Sequence, residues 1–288
     1  AAASTGLMLI APITIFTWSS HQLLVGYVPF TLFDGSTTVF LKPFALLLFL
    51  FVVDRMDAES TETRDIWICA ALSVLAWNAK PSFTVCLAPA LVVYVAVRAL
   101  RGRVVAWRFL AAGFFLSTAL VAVPLTAAAA RAAGPTGAPG FALAPLKNIG
   151  DLLAARGQPL WAFAPLLVAS CAFPLAVAVA YRHRVSASSS LVLAWLVFAA
   201  GAGQYYLFRI THKADFGDLL GGAQIGLFLV YVESVRFALC EERRMAATTQ
   251  GGEKERVRRS RRLALSGLFA LQVFCGLFLL VHDVVDPE

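Results

Sequence analysis

The chain has 288 residues, of which 59% are hydrophobic and only 14% charged, with a mean hydropathy of +0.76. A soluble domain carries about 45–50% apolar and about 25% charged residues, so the composition excludes that class and points to a polytopic membrane protein. The net charge of +7 therefore reads as loop placement and not as a nucleic-acid footprint, and no nucleic-acid partner is expected.

A helix needs about 20 mostly apolar residues to cross the hydrocarbon core. About nine stretches qualify in chain order: 6–25, 38–53, 66–77, 82–97, 107–129, 161–181, 191–207, 219–239 and 263–281. The expected fold is an all-α transmembrane helix bundle, a single membrane domain over 1–288. The third and fourth stretches are short and flank Asn78-Ala79-Lys80-Pro81, so they are either a hairpin of short helices or a re-entrant pair. The chain opens Ala-Ala-Ala-Ser-Thr with no basic segment before its first apolar run. That is not a signal-peptide pattern, and a chain cut from a longer one is expected.

Two Lys-Pro pairs, Lys42-Pro43 and Lys80-Pro81, stand at the edges of apolar runs. A lysine there either snorkels to the headgroups or meets an anion, and the neighbouring proline frees backbone carbonyls. Loop charge sets the orientation. One face collects Arg55, Arg64, Arg98, Arg101, Arg103, Arg108, Arg182, Arg184, Arg236 and the basic loop 241–262, the greater part of the 24 basic residues. That face is read as cytoplasmic, with the amino end inside and the carboxyl end outside. The basic loop itself reads as an orientation signal with some attraction for anionic headgroups.

The opposite face holds Lys42, Lys80, Arg131, Lys147, Arg156, Arg209 and Lys213. Its longest loop, 131–160, ends in 146–156, where Leu146, Ile149, Leu152 and Leu153 recur at helical spacing. A short amphipathic helix in the interface fits that pattern. Lys42, Lys80, Arg209 and Lys213 together suit a phosphate or pyrophosphate, Arg as a fork and Lys as a point charge. The alternative is separate snorkelling. Asp34, Asp215 and Asp218 are the nearby carboxylates, open either to a base or metal-holding role or to turn and cap roles. His21 and His212 show no metal-ligand spacing, and the five cysteines form no CxxC pair. No metal site and no cofactor are evident, although the outer carboxylates leave a divalent cation open.

The segment Thr37-Thr38-Val39-Phe40-Leu41-Lys42-Pro43-Phe44-Ala45-Leu46-Leu47 resembles one found in polytopic bacterial GT-C-type glycosyltransferases and related membrane proteins. Lys80-Pro81-Ser82-Phe83 with Leu87-Ala88-Pro89-Ala90 is similar to their second hallmark, and Arg209 with Asp215-Phe216 to a third. The resemblance implies sugar transfer from a polyprenyl-phosphate carrier at the outer face of a bacterial plasma membrane. Its partners would be membrane lipid and the lipid-linked donor, whose phosphate would meet Lys42, Lys80 and Arg209, with Lys213, His212 and Asp215 in the same substrate site. Asp34 would be the catalytic carboxylate of this chain. It stands where relatives are expected to have His, and Asp215 where they are expected to have Asn. The acid expected just before Arg209 is absent, since Tyr205–Phe208 are uncharged. A catalytic acid in an outer loop ahead of this chain is the corresponding expectation. A transporter or flippase of an anionic lipid-linked substrate, or a non-catalytic membrane subunit, are the rival readings.

Overall fold

The computed structural model describes Leu7, Ile10, Ala11, Ile13 and residues 36–58, 61–137, 141–155, 157–210, 217–248 and 253–285. Helices dominate it. In chain order they are α1 Ser36–Asp57, α2 Thr63–Ala79, α3 Ser82–Leu100, a π-helical stretch Phe109–Leu116 running into α4 Ser117–Gly137, and α5 Lys147–Ala155. A 3-10 turn, Leu160–Ala162, then leads to α6 Phe163–Ser170, α7 Ala172–Ala180, α8 Arg182–Val185, α9 Ser189–Leu207, α10 Gly217–Thr248 and α11 Glu253–Val285. The strands β1 Phe141–Leu143 and β2 Phe208–Ile210 pair antiparallel, with Ala142 opposite Arg209.

Among the described residues, five helical segments are long and apolar enough to cross a membrane: Ser82–Leu100, Phe109–Ala128, Ser189–Leu207, Leu219–Ala247 and Glu255–Phe278. A sixth arises if α5 and Leu160–Ser170, bent by 108°, form one broken span. The chain is a helical membrane protein. Helix α3 shows why: its buried stripe of Phe83, Leu87, Leu91 and Tyr94 is matched by exposed Val85, Val92, Val93 and Val97 on the other side. A helix apolar all round needs lipid where it lacks protein. Helix α1 bears Lys42, Asp54, Arg55 and Asp57, and α2 has 17 residues, about 26 Å at 1.5 Å per residue. The first apolar stretch, 6–25, lies almost wholly outside the described residues.

The chain divides into two compact units. The central unit comprises Gly35–Asn148 and Trp195–Gly226; the terminal unit comprises Ala1–Asp34, Ile149–Ala194 and Leu227–Glu288.

In the central unit α1 buries Leu41, Ala45, Leu48, Phe49, Val52 and Met56, a stripe at helical spacing. Helix α2 opens on a capping box, with the Glu62 backbone N–H donating to Asp65 at 3.0 Å. That box and Arg55, 3.5 Å from Asp65, extend α2 below the apolar stretch read from the sequence. The buried face of α2, Cys69, Ser73 and Ala76, is small, so neighbouring backbones come close. A Cβ on Gly113 would stand 3.1 Å from Cys69 Cβ, which seats the π-helical stretch against α2.

Helices α9 and α10 cross antiparallel through glycines. A Cβ on Gly201 would lie 2.5 Å from the Ala223 nitrogen, and one on Gly226 would lie 2.6 Å from Phe198 Cα. Gly222 and Gly226 are four apart on one face, the small-xxx-small pattern of close membrane packing.

In the terminal unit the stretch 161–181 is not one helix. It breaks at Cys171, because Pro174 has no N–H to bond the Ser170 carbonyl. Freed carbonyls in an apolar bundle need other donors. The Tyr231 hydroxyl donates to Ser170 O at 2.8 Å, and Gln272 Nε2 donates to the Tyr231 oxygen at 2.7 Å and to Ala169 O at 3.4 Å. Phe173 stacks on the Tyr231 ring at 6.0 Å and meets Phe269 at 5.2 Å. Tyr231→Phe removes a donor from a buried carbonyl, a loss of about 1–3 kcal/mol. The thermal unfolding midpoint of the detergent-solubilised protein is expected to fall accordingly; an unchanged midpoint contradicts this role.

Candidate phosphate site at the Lys-Pro end

The ends of α1 and α3 fix the level of both lysines. Arg98, near the end of α3, donates to Asp57 at the end of α1. Counting back along each helix, Lys42 and Ser82 lie about four turns from that tie. They therefore sit at the same opposite end of the central unit. Lys80 caps α2 in an extended conformation, its N–H bonded to Ala76 O at 3.1 Å, immediately before α3 begins. Helix α9 joins this end through Gln204, which donates to Val85 O at 3.2 Å and accepts from Cys86 at 3.3 Å. Arg209 follows in β2, a little over one turn beyond Gln204 in sequence.

Lys42 is 7% exposed. It shares the face of Ala45 and Phe49, both buried, and so faces protein. That is not the geometry of a headgroup anchor, which keeps its ammonium in water. A protein-facing lysine inside a lipid-soluble helix marks a ligand or ion site by default.

Lys80 meets α10. A Cβ on Gly221 would stand 2.9 Å from Lys80 Nζ and 3.3 Å from Ser82 Oγ. The missing side chain at Gly221 thus admits an ammonium and a hydroxyl side by side. Ser82 Oγ is buried and has no hydrogen-bond partner among the described residues. An ammonium and a free hydroxyl are both donors, and together they suit an oxyanion.

Arg209 and the ribbon it occupies are held by Asn148, whose side-chain amide donates to Tyr205 O at 3.1 Å and Phe208 O at 2.7 Å. The helix expected at 146–156 is present as α5, with Ile149 and Leu153 buried in protein. Asn148→Ala leaves both carbonyls without that donor. A loss of about 1–3 kcal/mol is expected, seen as a lower unfolding midpoint and faster proteolysis of the segment around Arg209.

Of the residues singled out in the sequence, Lys42, Lys80 and Arg209 thus share one end of the central unit. Asp34, His212, Lys213 and Asp215 lie outside the described residues. Ser82, Gln204 and Gly221 were not anticipated. Gln204 carried a signal, an amide alone in an apolar helix, as did the Gly221-Gly222 pair at the start of α10. Among the described residues no group of three or more His, Cys, Asp or Glu side chains could hold a metal ion. The five cysteines are free thiols, and only Cys240 is exposed. Compared with known proteins, the chain matches no family model, no curated protein and no solved structure.

Proposed function

We propose that the chain is a glycosyltransferase-like membrane protein that takes a sugar from a polyprenyl-phosphate-linked donor at the non-cytoplasmic face. The observation that carries this reading is the protein-facing Lys42 at the same end as Lys80 and Ser82. In the reaction a base removes the proton of an acceptor hydroxyl, the hydroxyl oxygen bonds the sugar carbon, and the carbon–oxygen bond to the donor phosphate breaks. Lys42, Lys80 and Arg209 stabilise the charge that collects on the departing phosphate. Asp34 is the base this chain would supply.

The reading includes about nine crossings, an inside amino end and an outside carboxyl end, in a bacterial plasma membrane. Cys240 tests the orientation. It is the exposed cysteine, and it adjoins Glu241 and Glu242 at the basic end of α10. A membrane-impermeant maleimide is expected to label it in inverted vesicles and not in intact cells; labelling from outside reverses the orientation. For the activity, membranes holding the full chain are given a polyprenyl-phosphate-linked sugar, and Lys80→Ala is expected to abolish transfer without loss of protein. Transfer by Lys80→Ala at the wild-type rate removes the site.

A transporter would use the same cations, and the break at Cys171 is the feature that favours it, since transporters place discontinuous helices at their sites. The freed Ser170 and Ala169 carbonyls are already held by Tyr231 and Gln272, which is the arrangement of a structural break.

A further inference from the structure

The terminal unit contains a cavity of about 450 Å³ between α7, α10 and α11. It is graded along its length. On α10 it runs from Val235 to Ala246 and on α11 from Phe269 back to Arg258, about 16 Å of helix in each case at 1.5 Å per residue. One end is walled by Phe173, Val235 and Phe269, and the other is lined by Arg243, Arg258 and Arg262. Leu239 and Leu265 lie between.

The charge at the basic end is only partly matched. Glu242 lines it too, and it accepts a hydrogen bond from the Tyr181 hydroxyl at 2.9 Å. Arg258 reaches Glu255 at 4.0 Å, a partly exposed pair at the limit of ion-pair distance and of little energetic weight. Arg243 and Arg262 make no ion pair among the described residues. Helix α10 has 32 residues, about 48 Å of helix, so it outruns a hydrocarbon core of about 30 Å. Its apolar half belongs in the acyl region and its basic half among the headgroups.

We propose that this slot binds one anionic phospholipid, with the phosphate among Arg243, Arg258 and Arg262 and an acyl chain along Leu265, Phe173 and Phe269. Free phosphate has no use for the aromatic end, and an uncharged lipid has none for three guanidinium groups. General attraction of a basic loop for an anionic surface needs no cavity; a bound lipid needs both halves of this one. The slot belongs to the terminal unit and the Lys-Pro end to the central unit, and the fate of this proposal does not depend on the activity proposed above.

The test is native mass spectrometry of the full chain, purified in detergent and exchanged into equal phosphatidylglycerol and phosphatidylcholine. Phosphatidylglycerol adducts are expected to exceed phosphatidylcholine adducts by about tenfold, the effect of the choline ammonium that phosphatidylcholine brings against three guanidinium groups, about 1.4 kcal/mol. The pair Arg258→Gln and Arg262→Gln is expected to remove that excess. Leu265→Trp, which fills the slot and leaves the arginines, is expected to remove it as well, with Ser266→Phe as the alternative filling variant if the first does not fold. Arg101→Gln with Arg103→Gln removes equal charge elsewhere and is expected to leave the excess intact. Millimolar inorganic phosphate is expected not to displace the lipid. Equal retention of both lipids, an equal loss in the Arg101 and Arg103 control, retention in the filled variants, or displacement by phosphate each overturns the proposal.

Discussion

Gly201→Ala is expected to weaken the protein by more than an ordinary helix substitution, and in the opposite direction. Alanine improves an exposed helix by about 0.5–1 kcal/mol over glycine. At Gly201 the added Cβ would lie 2.5 Å from the Ala223 nitrogen and from the Gly222 carbonyl carbon. Those are backbone atoms, so no side chain can turn aside and α9 must part from α10. Overpacking costs about 1–3 kcal/mol, which outweighs the propensity gain. Gly226→Ala meets Phe198 Cα at 2.6 Å and is expected to behave alike. Gly203 has nothing within 4 Å of its added Cβ, so Gly203→Ala is expected to be neutral or slightly stabilising. Thermal unfolding of the three variants in one detergent decides the matter: similar midpoints for Gly201→Ala and Gly203→Ala contradict the crossing. The crossing matters beyond stability, because α10 carries Gly221 to Lys80 and Ser82.

Lys42→Met is expected to lower binding of a polyprenyl phosphate by about ten- to a hundredfold, the worth of a charged hydrogen bond of about 1.5–3 kcal/mol. Methionine retains the length and apolar stem of lysine, so packing beside Ala45 and Phe49 is largely kept. Lys42→Arg keeps the charge with a different donor geometry, and an intermediate affinity is expected. Gly221→Ala provides an independent probe that removes none of the cationic side chains. Its Cβ would stand 2.9 Å from Lys80 Nζ, and the flexible end of a lysine can move away, so the fold survives while the ammonium leaves Ser82. Reduced binding with an unchanged unfolding midpoint is the expected pair of results. Unchanged binding in both Lys42→Met and Gly221→Ala would return the lysines to structural roles.

The membrane class could be read from composition. Within the central unit, Arg55 pairs with Asp65 and Arg98 with Asp57 at one end, with Lys42 and Lys80 at the other. The break at Cys171 was less legible. Pro174 was visible inside an apolar run, but a proline shows only that a carbonyl is freed. The donors that satisfy the carbonyls lie 61 and 103 residues away, in Tyr231 and Gln272. The β1–β2 ribbon has three residues per strand, too few for a period-two pattern. The site was half legible for the same reason. Lysine next to proline is a local oddity, whereas the approach of Gly221 to Lys80 and Ser82 depends on how α10 crosses α9, which glycine spacing permits but does not specify.

The central claim is that the Lys-Pro end of the central unit holds a phosphate carried on a lipid. Its most direct measurement is equilibrium binding of a polyprenyl monophosphate to the full chain in phosphatidylcholine nanodiscs, compared with the Lys42→Met and Lys80→Met variants at matched folded protein. Saturable binding by the wild type, weakened about tenfold or more in each variant, is the result predicted. Equal binding in all three proteins, or none in the wild type, would contradict it.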